Sequence, residues 1–424
     1  MEYKGGNKLG IIVTIIKLLF ILLAVTTIHE FGHFLMAKLF KIGVDEFSIG
    51  FGPKIFQKKV KDTMYSLRWI PLGGYCSIVG EGEESQREDS FEKKEAWKKV
   101  IVLAMGVIFN AILAFLIFIG ISFSGKIENT TIKEFSSNSP AKEAGLEIGD
   151  TIYSINGKRV RLYSDLYSLN ADDNMDSVQV VYIRDGKKYT AVLENTLKKI
   201  GNLGIAYVKN EDGTYSTKIN MVEPGSSADK AGLKAGQEIV KINGEKINSA
   251  DEITLIAKEN PEKALEFEVV YKDEIKNIII TPKSINYFSL GIYETEEIKP
   301  NLEYAFYNTV DYIKTIFNSY IDLFKGKVKI SQMSGIVGVG EVVAKTNGII
   351  EFLKLMAILS MAIGIANILP FPPLDGGKIV IVLCEKILKR KLPEKAELII
   401  SYIGLGILVL LAIFVTYNDI TRII

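Results

Sequence analysis

The sequence predicts a polytopic α-helical membrane protein, with four transmembrane helices and two copies of a small α+β domain inserted between helices 2 and 3. Three observations carry this reading. Mean hydropathy is +0.20 although 24% of residues are charged, so apolar and charged residues must be segregated into blocks. Four apolar stretches are long enough to cross a bilayer, which takes about 20 residues. The polar block between the second and third of them repeats itself at an offset of 87 residues.

The first apolar stretch runs from about Leu9 to Leu39. Lys4 and Lys8 precede it as they would a secretory signal, but no small-residue cleavage site follows, and the run continues through His29 and His33. The second (Val100 to Gly125), third (Leu355 to Leu374) and fourth (Leu398 to Asn418) carry no charged side chain. Charge orients them. The loop Lys41 to Lys99 holds eleven Lys and Arg, and Lys378 to Glu397 holds six, against two in the N-terminal tail and one in the C-terminal tail. The positive-inside rule places both basic loops in the cytoplasm, and both termini and the repeat outside. Cys76 and Cys384 then lie at or near the cytosolic side, as unpaired thiols. A net charge of +1 gives no pull toward nucleic acid, so none is expected as a partner.

Within the repeat, Ser139–Val160 aligns without gaps to Ser226–Ile247, with 10 of 22 positions identical. A period this long means two copies of a small domain and not a solenoid. Each copy reads as a short helix ending at a glycine, a Gly turn, a strand, an Asn-Gly hairpin turn, a second helix and a last strand. The pattern "AGL..G..I..ING" resembles the bacterial form of the PDZ domain. That resemblance implies binding of extended peptides by strand addition, with "LGIAYV" (Leu203–Val208) as the second copy's carboxylate-binding loop. Inert spacer copies are the alternative. Beyond the repeat, Phe306, Val310, Ile313, Phe317, Tyr320 and Phe324 mark one helical face, which can lie on the membrane, brace the repeat or face a core.

The chemistry is concentrated in "TTIHEFGHFLMAKLF", Thr26–Phe40, which holds both histidines of the chain. Residues four apart share a helix face, about 6 Å apart along the axis, so His29 and His33 can each give a ring nitrogen to one zinc ion. Glu30 is placed to serve as general base toward a water at that ion. Three ionisable groups on one turn at membrane depth need a strong compensating partner, and a metal supplies it. Zinc requires a third protein ligand, and no other histidine exists. The place to look is "ANILPFPPLDGGKIV", where Asp375 follows Pro370, Pro372 and Pro373 and precedes Gly376 and Gly377. Broken backbone at that depth is tolerated where it lines a cavity. The alternative is an interfacial turn in which Asp375 caps the next helix. Asn367, inside the uncharged run, can hold a substrate carbonyl or developing oxyanion, or make a helix–helix hydrogen bond.

"HEFGH" with "NILPFPPLDGG" resembles the site-2 protease family of intramembrane zinc metalloproteases, and the tandem insert resembles its bacterial regulator-of-sigma-E type. "GFGP" (Gly50–Pro53) and "PLGGY" (Pro71–Tyr75) look like the family's membrane-associated β-hairpin region, and "AMGVIFNAILAF" like its second-helix motif with Asn110 in place. Gly106-Val107 stands where a Gly-Pro is common, which puts a kink in doubt. The resemblance implies a zinc metalloendopeptidase in a bacterial inner membrane, active toward the cytoplasmic side. The metal set would be His29, His33 and Asp375, with Glu30 as catalytic base. Substrate would be held by Asn367, Gly50, Gly52, Gly73 and Gly74. The implied substrates are single transmembrane segments such as anti-sigma factors and remnant signal peptides, with peptide ligands for the two PDZ copies. The implied domains are residues 1–40, helix 1; 41–99, the cytoplasmic loop with the β region; 100–125, helix 2; 126–199 and 200–284, the two copies; 285–348, an amphipathic helix and linker; 349–384, helix 3; 385–397, a loop; and 398–424, helix 4. Two competing readings are a catalytically inactive PDZ membrane scaffold, which has no need of Glu30, and a metal transporter, which needs polar residues on several helices.

Overall fold

The computed structural model describes residues 8–82, 85–124, 127–162, 165–166, 176–210, 214–272, 274–297, 302–326, 333–346 and 348–423. Two compact units emerge: Met1–Gly125 with Ile298–Ile424, and Lys126–Glu297.

The first unit is helical. It contains α1 (Lys8–Leu39), α2 (Ala96–Ser124), α3 (Leu302–Phe324), α4 (Ile336–Ala344), α5 (Ile349–Asn367), α6 (Asp375–Leu388) and α7 (Glu394–Ile423). Among the described residues four helices are long and apolar enough to span a membrane, within α1, α2, α5 and α7. Only 11% of the most apolar window is buried in α1 and in α7, so their apolar side chains face outward, where lipid is the partner that makes such a surface favourable. Small residues let the helices close up. An ideal Cβ on Gly32 of α1 would lie 2.5 Å from the carbonyl oxygen of Met105 on α2. One on Gly364 of α5 would lie 3.1 Å from Cβ of Asn110. Ile21, Val25, Ala114, Phe118, Met356 and Ala357 form the core between these three helices.

Three sequence expectations are refined here. The third apolar stretch breaks at its proline run, as the sequence suggests, so the span 349–384 taken as helix 3 holds two helices. Helix α5 ends at Asn367, and α6 begins only at Asp375, after the proline-rich turn that contains the cis Pro372–Pro373 bond. Helix α3 packs against α2 and α5 through Ala305, Thr309 and Tyr312, with Tyr312 stacked on Phe118 at 5.6 Å and Ile313 of the expected face beside it. Phe306, Phe317 and Phe324 of the expected face stay exposed. The small side chains of Ala305 and Thr309 permit the closer helix approach there, which apolar periodicity alone does not reveal. Helix α2 runs unbroken through Gly106-Val107.

Between α1 and α2 lies a hairpin of β1 (Val44–Val60) and β2 (Thr63–Ile78). It folds back on itself, so Glu46 to Ile49 pairs with Met64 to Leu67 on one side and with Gly74 to Ser77 on the other. The bend needs left-handed backbone, supplied by Gly50 (φ +86°) and Gly52 (φ +78°). At the other end of the unit, Asp419 of α7 accepts hydrogen bonds from the N–H groups of Gly335 (2.8 Å) and Gly338 (2.7 Å), capping α4.

The second unit holds two five-strand sheet paths built alike. The first runs β16 (Ile292–Glu297), β3 (Ile127–Phe135), β4 (Thr151–Ile155), β6 (Val178–Arg184) and β7 (Lys187–Leu193). The second runs β14 (Glu274–Ile280), β13 (Leu265–Tyr271), β11 (Glu238–Ile242), β10 (Tyr215–Val222) and β9 (Ile205–Lys209). The Asn-Gly turns are as expected, with positive φ at Asn156, Gly157, Asn243 and Gly244, joining β4 to β5 (Lys158–Arg159) and β11 to β12 (Glu245–Lys246). Ser139 and Ser226 cap the equivalent short helices through the N–H of Lys142 and of Asp229.

The division at 284 needs correction. Leu290-Gly291-Ile292 repeats Leu203-Gly204-Ile205 at the same offset of 87. The Leu290 carbonyl accepts from Ala141 N–H as that of Leu203 accepts from Ala228 N–H. Strand β16 thus completes the first sheet, although it follows the whole second copy in the chain. A further pair, β8 (Leu197–Asn202) and β15 (Lys283–Phe288), joins the segments on either side of that copy.

Candidate metal centre

His29 and His33 sit one turn apart on α1, with ring centroids 4.8 Å apart and edge-to-face. Asp375 reaches both from the first residue of α6, where the helix N-terminus favours a negative charge. Its Oδ2 is 3.0 Å from His29 Nε2 and 3.3 Å from His33 Nε2. The three candidate ligand atoms lie within 4.8 Å of one another, and both imidazoles are buried. Two imidazole nitrogens and a carboxylate are a donor set suited to zinc.

Two further observations test that fit. The Nδ1 of His33 is 2.8 Å from the carbonyl oxygen of Val102, an acceptor only. Nδ1 therefore carries a proton, which in the neutral ring leaves Nε2 its lone pair, as a metal ligand requires. The space beside the nitrogens is kept clear by Gly106. A Cβ there would lie 2.5 Å from His33 Nε2 and 2.7 Å from His29 Nε2. The residues present fit a metal ion.

Glu30 projects to the same place. Its Oε2 accepts the backbone N–H of Cys76 on β2 at 3.0 Å, so the carboxylate is tied to the outer strand of the hairpin. Asn367, the last residue of α5, brings its side-chain amide to 3.3 Å from His29 Nε2. A cavity of about 320 Å³ is lined by Thr26, His29, Glu30, Gly73, Gly74, Asn367 and Asp375, with Phe51, Leu72 and Lys378 beside them. Lys378, one turn into α6, pairs with Glu81 just beyond β2 at 2.7 Å. Of the expected substrate-binding glycines, Gly73 and Gly74 line this cavity. Gly50 and Gly52 do not; they shape the bend of β1.

Sequence reasoning had no place for the Val102 carbonyl, which no residue type announces. It registered Gly106 only as half of a Gly-Pro pair. The available signal was spacing. Val102, Gly106 and Asn110 stand four apart on α2, as His29 and His33 do on α1.

The chain resembles proteins in keeping with this geometry. A protein of Thermotoga maritima named as a zinc metalloprotease is 29% identical over 503 residues, covering 96% of this chain and 99% of the relative. The regulator of sigma-W protease RasP of Bacillus subtilis is 28% identical over 428 residues, covering 96% and 98%. Among solved structures, the HtrA3 PDZ domain bound to a phage-derived ligand (FGRWV) matches 21% of this chain and 89% of its own at 21% identity. Its TM-score is 0.18, too low to carry an argument about the repeat. The model of peptidase family M50 matches residues 17–411, nearly the whole chain, and the chain belongs to that family.

Proposed function

We propose that this chain is an intramembrane zinc endopeptidase that cuts peptide bonds within transmembrane segments, in regulated intramembrane proteolysis. The observation that carries the reading is the convergence of His29, His33 and Asp375 within 4.8 Å, beside Glu30, on helices apolar enough to span a membrane. His29, His33 and Asp375 hold the zinc, and bound zinc supplies Lewis acidity. Glu30, oriented by the Cys76 N–H, takes the proton of the attacking water and delivers it to the leaving amine nitrogen.

A transmembrane helix keeps its carbonyls internally bonded, so the substrate must unwind locally before it can be cut. The strand Gly74 to Ser77 pairs with β1 on one side, and Gly73 and Gly74 line the cavity. We assign its other edge to the unwound substrate, with Asn367 holding a carbonyl. Anti-sigma factors and remnant signal peptides are the substrate classes. The likeness to the Bacillus subtilis regulator of sigma-W protease supports the first. The two repeat copies act as PDZ domains toward peptide ligands outside the cell. The basic loops, with the active site, face the cytoplasm of a bacterial cell. Cys384 is exposed while Cys76 is half-buried beside Glu30, so Cys384 is the better probe of this orientation with impermeant thiol reagents.

The deciding experiment places the purified chain in liposomes with a peptide spanning the membrane once. Cleavage inside the span, stopped by a zinc chelator and restored by zinc, is expected. An intact span before a zinc-loaded chain would overturn the reading in favour of an inactive scaffold.

A further inference from the structure

The two imidazoles are not held alike. One face of α2 presents Val102, Gly106 and Asn110 to His33 and His29. The Val102 carbonyl accepts a hydrogen bond from the Nδ1–H of His33, and Gly106 stands bare before both Nε2 atoms. Asn110 is fully buried, and its Nδ2 lies 3.4 Å from Nδ1 of His29. Its Oδ1 is buried and has no hydrogen-bond partner among the described residues. The backbone around it is fixed, since Ser360 Oγ donates to the Asn110 carbonyl at 3.0 Å. Gly364 leaves room for its side chain, because a Cβ there would lie 3.1 Å from the Cβ of Asn110.

A neutral imidazole carries one ring proton. If His29 is to give Nε2 to a metal, its proton must sit on Nδ1, and Nδ1–H then needs an acceptor. Asn110 is the side chain hydrogen-bonded to that nitrogen. Its amide is nearly symmetric in shape, and a half-turn about its last bond exchanges oxygen and nitrogen. With Nδ2 toward His29, Nδ1 must accept, and the ring proton falls on Nε2, facing Asp375 Oδ2 at 3.0 Å. With Oδ1 toward His29, the proton is held on Nδ1 and Nε2 is free to bind. We propose that Asn110 is a positioning residue for the metal centre: in the zinc-loaded protein its Oδ1 accepts the Nδ1 proton of His29 and holds that ring in its metal-binding tautomer. The inference rests on His29 being a zinc ligand. It supplies for His29 what the Val102 carbonyl supplies for His33. Unlike that carbonyl, it can be substituted.

The test measures zinc affinity of the purified full-length chain by competition with a chromophoric chelator. Thermal unfolding of the zinc-free forms is measured alongside. Asn110→Leu keeps the volume and removes the acceptor, so zinc affinity should fall about 10- to 100-fold. Asn110→Asp keeps an acceptor and cannot donate, so it should stay within about threefold of the unmodified chain, well inside the loss expected of a missing second partner. Asn110→Ala replaces the leucine variant should that one not fold. Unchanged affinity in Asn110→Leu, or in Asn110→Ala standing in for it, would reduce Asn110 to packing. An aspartate variant as weak as the leucine one would mean that Asn110 donates, and would overturn the proposal. His29→Ala separates the two levels: zinc affinity surviving in that variant would refute the metal set itself.

Discussion

Cys76, on the outer strand of the hairpin, gives its backbone N–H to Glu30 Oε2 at 3.0 Å, and so the hairpin fixes the carboxylate that stands beside the two histidines. A glutamine at position 30 can accept the same hydrogen bond through its amide oxygen but cannot take up a proton. Glu30→Gln should therefore keep zinc at unmodified stoichiometry and lose cleavage by at least about 10²-fold, the usual scale of a general base. Metal analysis alongside a peptide cleavage assay checks both halves. Cleavage near the unmodified rate would remove Glu30 from the role.

Asp375 is the acidic side chain that both histidine Nε2 atoms face. Asp375→Ala should lower zinc content and activity together, leaving a two-histidine site that releases its metal on dialysis against chelator. Full zinc retention would assign the third ligand elsewhere.

Gly106 gives a sharper structural test. Alanine there places a methyl group 2.5 to 2.7 Å from the His33 and His29 nitrogens, far inside contact distance, whereas a Cβ on Gly120 of the same helix meets nothing within 4 Å. Gly106→Ala should cut zinc affinity at least about tenfold, on the scale of disturbed ligand orientation. Gly120→Ala should leave it unchanged. Equal zinc affinity in the two variants would contradict the placement of α2.

In the repeat unit, Asp150 is buried and accepts from Arg184 Nε (2.8 Å) and Nη2 (2.7 Å) and from the Glu147 N–H (2.8 Å). Burial alone would raise its pKa. The Arg184 guanidinium and that N–H outweigh it and hold the carboxyl below its usual value. A group depressed in the folded state stabilises above its unfolded pKa, about 3.9, and loses that contribution as pH falls through the folded value. Amide-exchange protection of β4, corrected for intrinsic rates, should therefore decline below about pH 4. Arg184→Met should cost about 2 kcal/mol at neutral pH, as for a hydrogen-bonded charge left without its partner. Further acidification should then harm that variant less than the unmodified chain. An identical pH profile in both would show that the pair does not set it.

The convergence of His29, His33 and Asp375 was legible because such residues are rare in the apolar segments of this chain and sit where charge is costly. Two histidines and a glutamate inside an apolar helix, and one aspartate after a proline run, leave few ways to be satisfied. What escaped the sequence is carried by backbone or by emptiness. The Val102 carbonyl belongs to every residue type, and the value of Gly106 is a missing atom. The face of α3 was legible as a period but not as an interface, since Phe306 and Phe317 are as apolar as the residues that pack. The boundaries of the repeat misled for another reason. The Leu-Gly-Ile at 290–292 does recur at the offset of 87, but it lies behind the second copy, where an order-preserving division assigns it to a linker.

That ordering has a consequence during biosynthesis. Strand β3 emerges early, yet its neighbour β16 lies beyond the entire second copy. At about 5 to 20 residues per second, roughly 8 to 33 seconds separate the two. Through that interval the nascent chain carries an open sheet edge, the kind of surface on which foreign strands pair. The sheet translated first is thus the one that matures last. A chain ending between Ile280 and Ile292 would carry every strand of the second sheet path and lack β16 of the first.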